Sequence, residues 1–323
     1  MKKFLFWLTA VLAILAMAIF GFVIPKTVSM ITDYPRFTHD DVFDNPELLK
    51  HFDIDEARDP SDYGFEDFTE INYKTIYDSV NLNGWYIPAS KVGVEQTLVI
   101  SHGRTSNRLK TLKYLSIIKE YGLDSLYNVF IPDLRNSGKS DEAKTGMGYE
   151  FAEDIAGSIK MLQTNFDQNE FVLWGFSMGA MGSITSINRP DLKEELEGTG
   201  IKVNKLILAS PLANVEETLR VAAKQRNIPG FVFSVTFKKF AKISNGYVKG
   251  MRFSNFLKTN PTPTLVLYGD ADTITPFEIL ELEIAGLPNV QSERFEGTQH
   301  VMIYTQAEHK ARYSVAVNDF LRK

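Results

Sequence analysis

A serine flanked by two glycines is the pattern in this chain that points most directly to chemistry. Gly175-Phe176-Ser177-Met178-Gly179 has the form G-x-S-x-G, with a strand-like apolar run before it and small, helix-like residues after it. A strand–turn–helix of this kind exposes the serine hydroxyl at a sharp turn, because the glycines let strand and helix approach closely. The helix N-terminus then favours the negative charge that develops beside the serine. Ser177 is therefore predicted to be a nucleophile; the alternative is an ordinary glycine-rich connection.

A serine nucleophile needs a base to take its proton. The chain has five histidines, at positions 39, 51, 102, 300 and 309. The chain order associated with a G-x-S-x-G turn is serine, acid, histidine, which leaves the last two as candidates. His300 follows the last predicted strand, where a loop could meet the serine turn, and is the predicted base. His309 falls within the amphipathic last helix and is predicted to lie at the surface.

The acid is expected at the end of the preceding strand, Thr264–Tyr268, where the loop carries Asp270 and Asp272. We predict Asp272, which lies deeper in the loop, four residues before the Pro276 that begins a helix. Asp270 is predicted to order the turn through hydrogen bonds to the backbone.

Acyl chemistry also needs two N–H groups that bind the oxyanion. The first is predicted to be the backbone N–H of Met178, and the second that of Arg104, in the loop after the third strand. In that loop Gly103 permits a tight turn, and His102 is predicted to stabilise the loop. The predicted mechanism is two-step acyl transfer through an acyl-enzyme.

Composition and missing motifs exclude several classes of function and site. The 323 residues carry a formal net charge of −5 and contain no cysteine. The charge gives no indication of nucleic-acid binding, and the absence of cysteine excludes disulfides, thiolate metal sites and a thiol nucleophile. A phosphate loop, a dinucleotide motif and the H-E-x-x-H metal motif are also absent from the sequence, so no metal and no cofactor are predicted.

The N-terminus resembles an anchor or an export signal. Lys2 and Lys3 precede an uncharged run from Phe4 to Ile24, which as a helix would be about 31 Å long and span a hydrocarbon core. Residues 1–25 are therefore predicted to be a membrane anchor, with the remaining chain outside the cytoplasm. The alternative is a signal peptide that is cleaved near Ala16-Met17-Ala18, which would release a secreted protein.

The rest of the chain divides in two. Residues 26–69 are predicted to be an acidic stalk or entry segment with a solvated face, since residues 38–70 carry 12 acidic residues and two basic ones. Residues 70–323 alternate strand-like and helix-like segments, which predicts one α/β domain with a mostly parallel eight-stranded sheet and helices on both faces. The first two strands have no helix between them and are predicted to form an antiparallel edge hairpin.

One insertion interrupts this alternation. Residues 212–258 are too long for a simple crossover and carry nine lysines and arginines among many aromatic residues. We predict a helical cap. Its cationic, aromatic character fits contact with an anionic membrane surface or selection of lipid-like substrates. In the alternative, the aromatic residues face an acyl pocket and the lysines are solvated.

Taken in order, these motifs resemble the α/β-hydrolase superfamily over residues 70–323. His102-Gly103 resembles its oxyanion loop, Asp133–Ser140 its D-x-R-G-x-G-x-S segment with Asn136 in place of the usual glycine, and Gly269–Pro276 its acid loop. Within the superfamily the chain looks like the bacterial membrane-anchored hydrolases near the prolyl-oligopeptidase-like and acyl-esterase groups. The resemblance implies an α/β-hydrolase fold and a Ser-Asp-His triad, but no particular substrate.

Carboxyl-ester hydrolysis is the predicted activity, on a small-molecule or lipid-like acyl substrate. Peptidase or acylaminoacyl-peptidase activity and thioesterase activity are enzymatic alternatives, although residues 26–69 are too short to form an accessory propeller that would sieve peptides. A non-catalytic surface protein that uses the fold for binding is an alternative of another class. The sequence makes no prediction of the oligomeric state.

Overall fold

The protein begins with one long helix. The computed structural model describes residues 2–54 and 56–323. In it, α1 (Lys2–Ala18) continues through a π-helical turn (Ile19–Val23) into α2 (Ile24–Thr32). The wider turn lies just before Pro25, which has no N–H and would clash with the carbonyl four residues earlier in a regular α-helix. The apolar run thus ends at Pro25 as predicted, but the helix continues for two more turns.

This helix has the length and composition of a membrane span. Residues Lys2–Thr32 form a 31-residue helix whose apolar segment is almost wholly exposed. Phe6, Trp7 and Phe20 are each more than half exposed, so this helix is not part of the core of the domain. An N-terminal signal sequence would have the same features, so the structure is consistent with both readings of the N-terminus.

The remaining helices and strands alternate as the sequence predicts. The helices are α3 (His39–Asp44), α4 (Pro46–Phe52), α5 (Leu115–Glu120), α6 (Tyr149–Phe166), α7 (Met178–Ser186), α8 (Pro190–Glu197), α9 (Val215–Gln225), α10 (Gly230–Phe240), α11 (Phe253–Thr259), α12 (Phe277–Ile284) and α13 (Ala307–Arg322). The strands are β1 (Thr69–Lys74), β2 (Asn81–Ile87), β3 (Gln96–Ser101), β4 (Asn128–Asp133), β5 (Glu170–Phe176), β6 (Lys202–Ala209), β7 (Thr264–Gly269) and β8 (Val290–Phe295).

The eight strands form one sheet in the order β1-β2-β4-β3-β5-β6-β7-β8. β1 and β2 pair antiparallel and β2 also runs antiparallel to β4, whereas the pairs from β4 to β8 are parallel. The predicted edge hairpin and mostly parallel sheet are therefore confirmed. Since the parallel strands share one direction, the loops after β3, β5, β7 and β8 meet at one edge of the sheet.

Each face of the sheet is covered by helices. α6 and α7 pack on one face and α5 and α13 on the other. Along β3, Val99 points into the first core while Leu98 and Ile100 point into the second, the alternation expected of a strand. β5 is buried between these two cores from Phe171 onward, so the serine turn that follows it has a packed base.

Residues 33–68 pack along the domain and keep most of their acidic residues exposed. Val42, Phe52, Ile54 and Phe65 are all buried in the second core. The acidic residues mostly remain exposed, and some of them cap short helices: Asp41, for example, accepts a hydrogen bond from the Thr38 N–H at the start of α3. The segment is thus packed along the domain, and its charges cap local turns.

The insertion between β6 and β7 forms a helical cap, as predicted. It contains α9, α10 and α11 with two short 3₁₀ turns between them. α10 packs against α2, so the cap lies beside the end of the N-terminal helix. This contact places the cap, α2 and the edge of the sheet that carries the serine turn together.

Candidate active site

Ser177 lies at the junction of β5 and α7 in a backbone conformation that few residues adopt. Its φ is 53° and its ψ is −116°, a strained geometry that is typical of functional sites. Glycines make the turn possible: a Cβ on Gly179 would lie 2.2 Å from the carbonyl oxygen of His102, and a Cβ on Gly175 would lie 2.6 Å from the Cα of Ala180. The close approach that the G-x-S-x-G pattern predicts is therefore present.

The structure brings His300 and Asp272 to this serine. His300 Nε2 lies 2.8 Å from Ser177 Oγ, and His300 Nδ1 lies 2.6 Å from Asp272 Oδ2. The imidazole thus bridges the hydroxyl and the carboxylate, in the arrangement that lets a histidine take a proton from a serine. The loop of His300 is held by Ser210, whose hydroxyl accepts the Val301 N–H at 3.0 Å.

Asp272 is held as an ionised acceptor. Its Oδ1 accepts the backbone N–H groups of Ile274 and Thr275, each at 2.9 Å, and its Oδ2 accepts the Thr275 hydroxyl at 2.8 Å. Burial alone would raise the pKa of Asp272, but the hydrogen bond and charge of His300 and the contacts with Thr275 outweigh it and hold this pKa below its ordinary value. The carboxylate is therefore charged and fixed in place.

Asp270 has the other role that the sequence predicts. It accepts the Gly297 N–H at 2.7 Å and pairs with Arg294 at 3.1 Å. These contacts tie the loop after β7 to the loop after β8. Asp270 therefore orders the turn, while Asp272 faces His300.

Two residues with candidate N–H donors adjoin the serine: Met178 follows Ser177 in the chain, and Arg104 lines the same pocket as Ser177. Met178 is the first residue of α7, where an N–H has no partner within its helix. The loop of Gly103 passes directly over the serine, since a Cβ on Gly103 would lie 3.1 Å from Ser177 Cβ. Neither the Met178 nor the Arg104 N–H donates a hydrogen bond to another residue in the described part of the chain, so both remain available as donors.

His102 is buried at the base of this loop and hydrogen-bonds to its neighbours. It is 1% exposed; its Nε2 accepts the Leu134 N–H at 3.0 Å and its Nδ1 lies 2.7 Å from the Gly103 carbonyl. Burial lowers the pKa of His102, which keeps the ring neutral and able to accept from Leu134. The ring thus joins the loop after β3 to the loop after β4.

The side chain of Arg104 was not assigned a role from sequence. Its guanidinium donates to the Met30 carbonyl at 2.6 Å and lies 4.7 Å from the centre of the Tyr34 ring. It therefore connects the loop after β3 to the C-terminal end of α2. The sequence contains no signal for this contact, because it joins residues more than 70 positions apart.

None of the other three histidines hydrogen-bonds to Ser177 in the described residues, although His51 lines the same pocket. His39 pairs with buried Asp133 at 3.1 Å, and His309 is half-buried with its Nε2 2.9 Å from the Glu296 carbonyl. His51 lines the serine pocket with Lys110, 3.3 Å away. Within residues 2–54 and 56–323, no cluster of three or more His, Asp or Glu side chains is placed to hold a metal ion.

The D-x-R segment after β4 stabilises the fold around the site. Arg135 is 1% exposed and donates to Asp154 at 2.7 Å and to Asp78 at 3.3 Å. Asn136, which stands where glycine is usual, has a φ of 59°, a conformation that asparagine tolerates better than most residues. The departure from the family pattern therefore leaves the turn intact.

A small pocket opens over the hydroxyl of Ser177. It has a volume of about 150 Å³, and its walls include Thr105, Ser106, Lys110 and His300. Burial lowers the pKa of Lys110 to about 8. The pocket is thus concave, partly polar and centred on the serine, as a site for a reacting group requires.

Comparison with known proteins identifies the fold. Residues 96–186 match the family model described as the alpha/beta hydrolase fold. The structure superposes on the esterase Pf2001 of Pyrococcus furiosus with a TM-score of 0.60 and 23% identity, over 82% of this chain and 95% of that one. An esterase of Exiguobacterium antarcticum gives a TM-score of 0.52 and 19% identity, over 78% and 99% of the two chains.

Curated relatives match over a shorter length. YfhR of Escherichia coli is 23% identical over 218 residues, which is 63% of this chain and 63% of that protein. YqkD of Bacillus subtilis is 28% identical over 144 residues, 42% of this chain and 46% of its own length. The chain thus spans less than two thirds of the length of each of these two relatives, and the activity is argued from the site.

Proposed function

The chain has the α/β-hydrolase fold, and from this premise we propose that it is a serine hydrolase that cleaves carboxyl esters. The observation that carries the proposal is the contact of His300 with both Ser177 and Asp272, at 2.8 and 2.6 Å. The two free N–H groups beside the serine, of Met178 and Arg104, support it.

In the proposed mechanism, Ser177 Oγ attacks the ester carbonyl while its proton passes to His300 Nε2. Asp272 keeps the Nδ1 proton of His300 in place and stabilises the imidazolium. The Met178 and Arg104 N–H groups donate to the oxyanion. Collapse of the tetrahedral intermediate expels the alcohol, which takes the proton from His300. Water, deprotonated by His300, then releases the carboxylic acid and restores the serine.

The test is covalent labelling with a fluorophosphonate probe. The wild-type chain is expected to be labelled, and Ser177→Ala to lose labelling and ester hydrolysis together. Ser106→Ala is the matched control, because Ser106 lines the same pocket but makes no contact with His300. Labelling that persists in Ser177→Ala would remove Ser177 as the nucleophile.

The leaving group separates this proposal from its enzymatic rivals. A panel of chromogenic acyl esters, thioesters and aminoacyl anilides ranks the three activities directly. Esters are favoured because residues 26–69 pack along the domain and form no accessory domain to sieve peptides. A chain that resists the probe and all three substrate classes would instead indicate a binding protein built on this fold.

We also propose that α1 anchors the protein, with the hydrolase domain outside the cytoplasm. The exposed apolar surface of α1 supports the anchor, and the two lysines at the start of α1 support the orientation. Alkaline extraction of membranes tests the anchor: the chain should stay in the pellet. A soluble form that begins near residue 19 would instead establish a cleaved signal peptide.

A further inference from the structure

A second cavity lies between the N-terminal helix and the cap. It has a volume of about 320 Å³, which falls in the range of small-molecule sites. Its walls are mainly apolar and come from α2, α9 and α10; they include Met30, Ile31, Leu219, Ala222, Phe233 and Phe237. A cavity with such walls favours an apolar occupant, because burying a polar group there without a hydrogen bond is costly.

This cavity adjoins the pocket over Ser177. Arg104 and Ile274 line both spaces, and Ile274 is 60% exposed, so its side chain is free to change rotamer. An ester with its carbonyl at Ser177 can therefore direct one substituent past Ile274 into the apolar cavity. The other substituent then faces the polar wall of the serine pocket, at Ser106 and Lys110.

The cavity also lies close to where the helix would leave a membrane. The apolar run ends at Ile24, and the wall residues Thr27 to Ile31 follow three to seven residues later, about 5 to 11 Å along the helix axis. α10, which forms another wall, packs on α2 and exposes Phe231 together with Lys238 and Lys239. Aromatic and cationic side chains together suit an anionic membrane surface.

We propose that this cavity binds the acyl chain of a lipid ester that resides in the same membrane as α1. The carbonyl lies at Ser177, the acyl chain lies between α2 and the cap, and the alcohol lies in the serine pocket. The inference rests on the proposed function only in that Ser177 attacks this carbonyl; the cavity binds the chain whether or not the serine reacts.

The first experiment fills the cavity. Ala222→Trp places a large side chain inside it, and Val221→Trp adds the same side chain to the neighbouring position of α9, outside the cavity lining. The full chain in phospholipid nanodiscs is assayed with p-nitrophenyl butyrate and p-nitrophenyl dodecanoate. Ala222→Trp should lower dodecanoate hydrolysis by at least about tenfold, through lost burial of methylenes, and leave butyrate hydrolysis and probe labelling nearly unchanged.

Val221→Trp should leave both rates nearly unchanged. An equal loss in the two variants, or an equal loss on the two esters by Ala222→Trp, would overturn the assignment of the cavity. Ala222→Phe is the second variant and should give a smaller loss in the same direction. Probe labelling of each variant shows that it is folded before its rates are compared.

A binding experiment separates this inference from the proposed function. Each tryptophan substitution is placed in a Ser177→Ala chain, and binding of a dansyl-labelled undecanoate is followed by fluorescence. Ala222→Trp should weaken binding and Val221→Trp should not; equal binding in all the chains would refute the cavity assignment. Binding at the cavity in a wild-type chain that resists the fluorophosphonate probe would instead refute the proposed function alone.

A vesicle experiment tests whether the lipid ester comes from the same membrane as α1, by varying which vesicles contain that ester. The full chain is reconstituted into vesicles of ether-linked phosphatidylcholine that contain dioleoyl phosphatidylglycerol, or into vesicles of ether-linked phosphatidylcholine alone that are then mixed with separate dioleoyl phosphatidylglycerol vesicles. Release of oleate should occur mainly in the first arrangement, because two-chain lipids exchange slowly between vesicles. Equal release in both arrangements, or in neither while soluble dodecanoyl esters are hydrolysed, would overturn the membrane source.

Discussion

Asp272 and Asp270 lie two residues apart on one loop and have different partners. The Asp272 carboxylate contacts His300, whereas the Asp270 carboxylate contacts Gly297 and Arg294. Both are acceptors for backbone N–H groups, so the hydrogen-bonding capacity of the loop does not distinguish them. Their direction does: one side chain points to the imidazole and the other to the surface.

Substituting these aspartates in turn gives a matched pair. Asp272→Asn should lower kcat/KM for ester substrates by about a thousandfold or more, because an amide no longer fixes the His300 tautomer or stabilises the imidazolium. Asp270→Asn should have only a small effect on the rate. Steady-state kinetics on one chromogenic ester gives the comparison, and the reverse ranking would make Asp270 the acid.

The partly buried carboxyl of Glu150 predicts how the stability of the fold depends on pH. Burial raises the pKa of this carboxyl to about 7, so between pH 4.5 and about 7 the folded protein binds more protons there than the unfolded chain does. Stability contributed by this group therefore falls as the pH rises through that window. Glu150→Gln should raise the melting temperature more at about pH 8 than at about pH 5.

Thermal melting of the detergent-solubilised protein measures this difference. Glu142→Gln, on the exposed loop before α6, is the control and should shift the melting temperature equally at both pH values. If Glu150→Gln also shifts it equally, the carboxyl is ionised alike in the folded and unfolded chains.

At the residue scale, the sequence predicts those residues whose types follow one another in a fixed order along the chain. Ser177, Asp272 and His300 were predicted from type, spacing and chain order, and the structure places their side chains together. The side-chain contact of Arg104 with α2 could not be predicted. Its partner is a carbonyl, which every residue carries, so no residue type marks the contact.

At the scale of elements, the β5–α7 junction depends on close backbone approach. Gly179 of α7 faces the Ser101 and His102 carbonyls at the end of β3, and the space there is too small for a Cβ. This contact positions the helix N-terminus behind Ser177 and fixes the oxyanion loop above it. The π-helical turn before Pro25, by contrast, has no sequence pattern that predicts it, because a proline can end a helix as readily as it can be accommodated within one.

The junction can be tested with two glycine substitutions. Gly179→Ala should lower the melting temperature and the folded yield, because its Cβ would lie 2.2 Å from a backbone oxygen and overpacking costs about 1–3 kcal/mol. Gly230→Ala, at the start of α10 with nothing within 4 Å of the added Cβ, should be neutral or stabilising by up to about 1 kcal/mol. Equal melting of the two variants would contradict the tight junction.

At the scale of the whole molecule, residues 24–68 complete the domain. Composition alone predicted a solvated stalk here, because the net charge of −10 between residues 38 and 70 outweighs a few scattered apolar residues in any average. In the structure those few apolar residues join the core of the domain: Val42, Phe52, Ile54 and Phe65 are each at most 7% exposed. Their spacing follows no helical or strand period, so periodicity could not assign them to the core.

Truncation distinguishes a stalk from a structural part of the domain. A chain of residues 24–323 loses only the exposed part of the N-terminal helix and should fold and hydrolyse short esters. A chain of residues 70–323 loses at least four large buried side chains at about 1.5–3 kcal/mol each, which together approach the whole stability of a typical domain, about 5–15 kcal/mol. It should therefore be insoluble or unfolded by circular dichroism, and a folded, active 70–323 chain would show that residues 26–69 are a stalk after all.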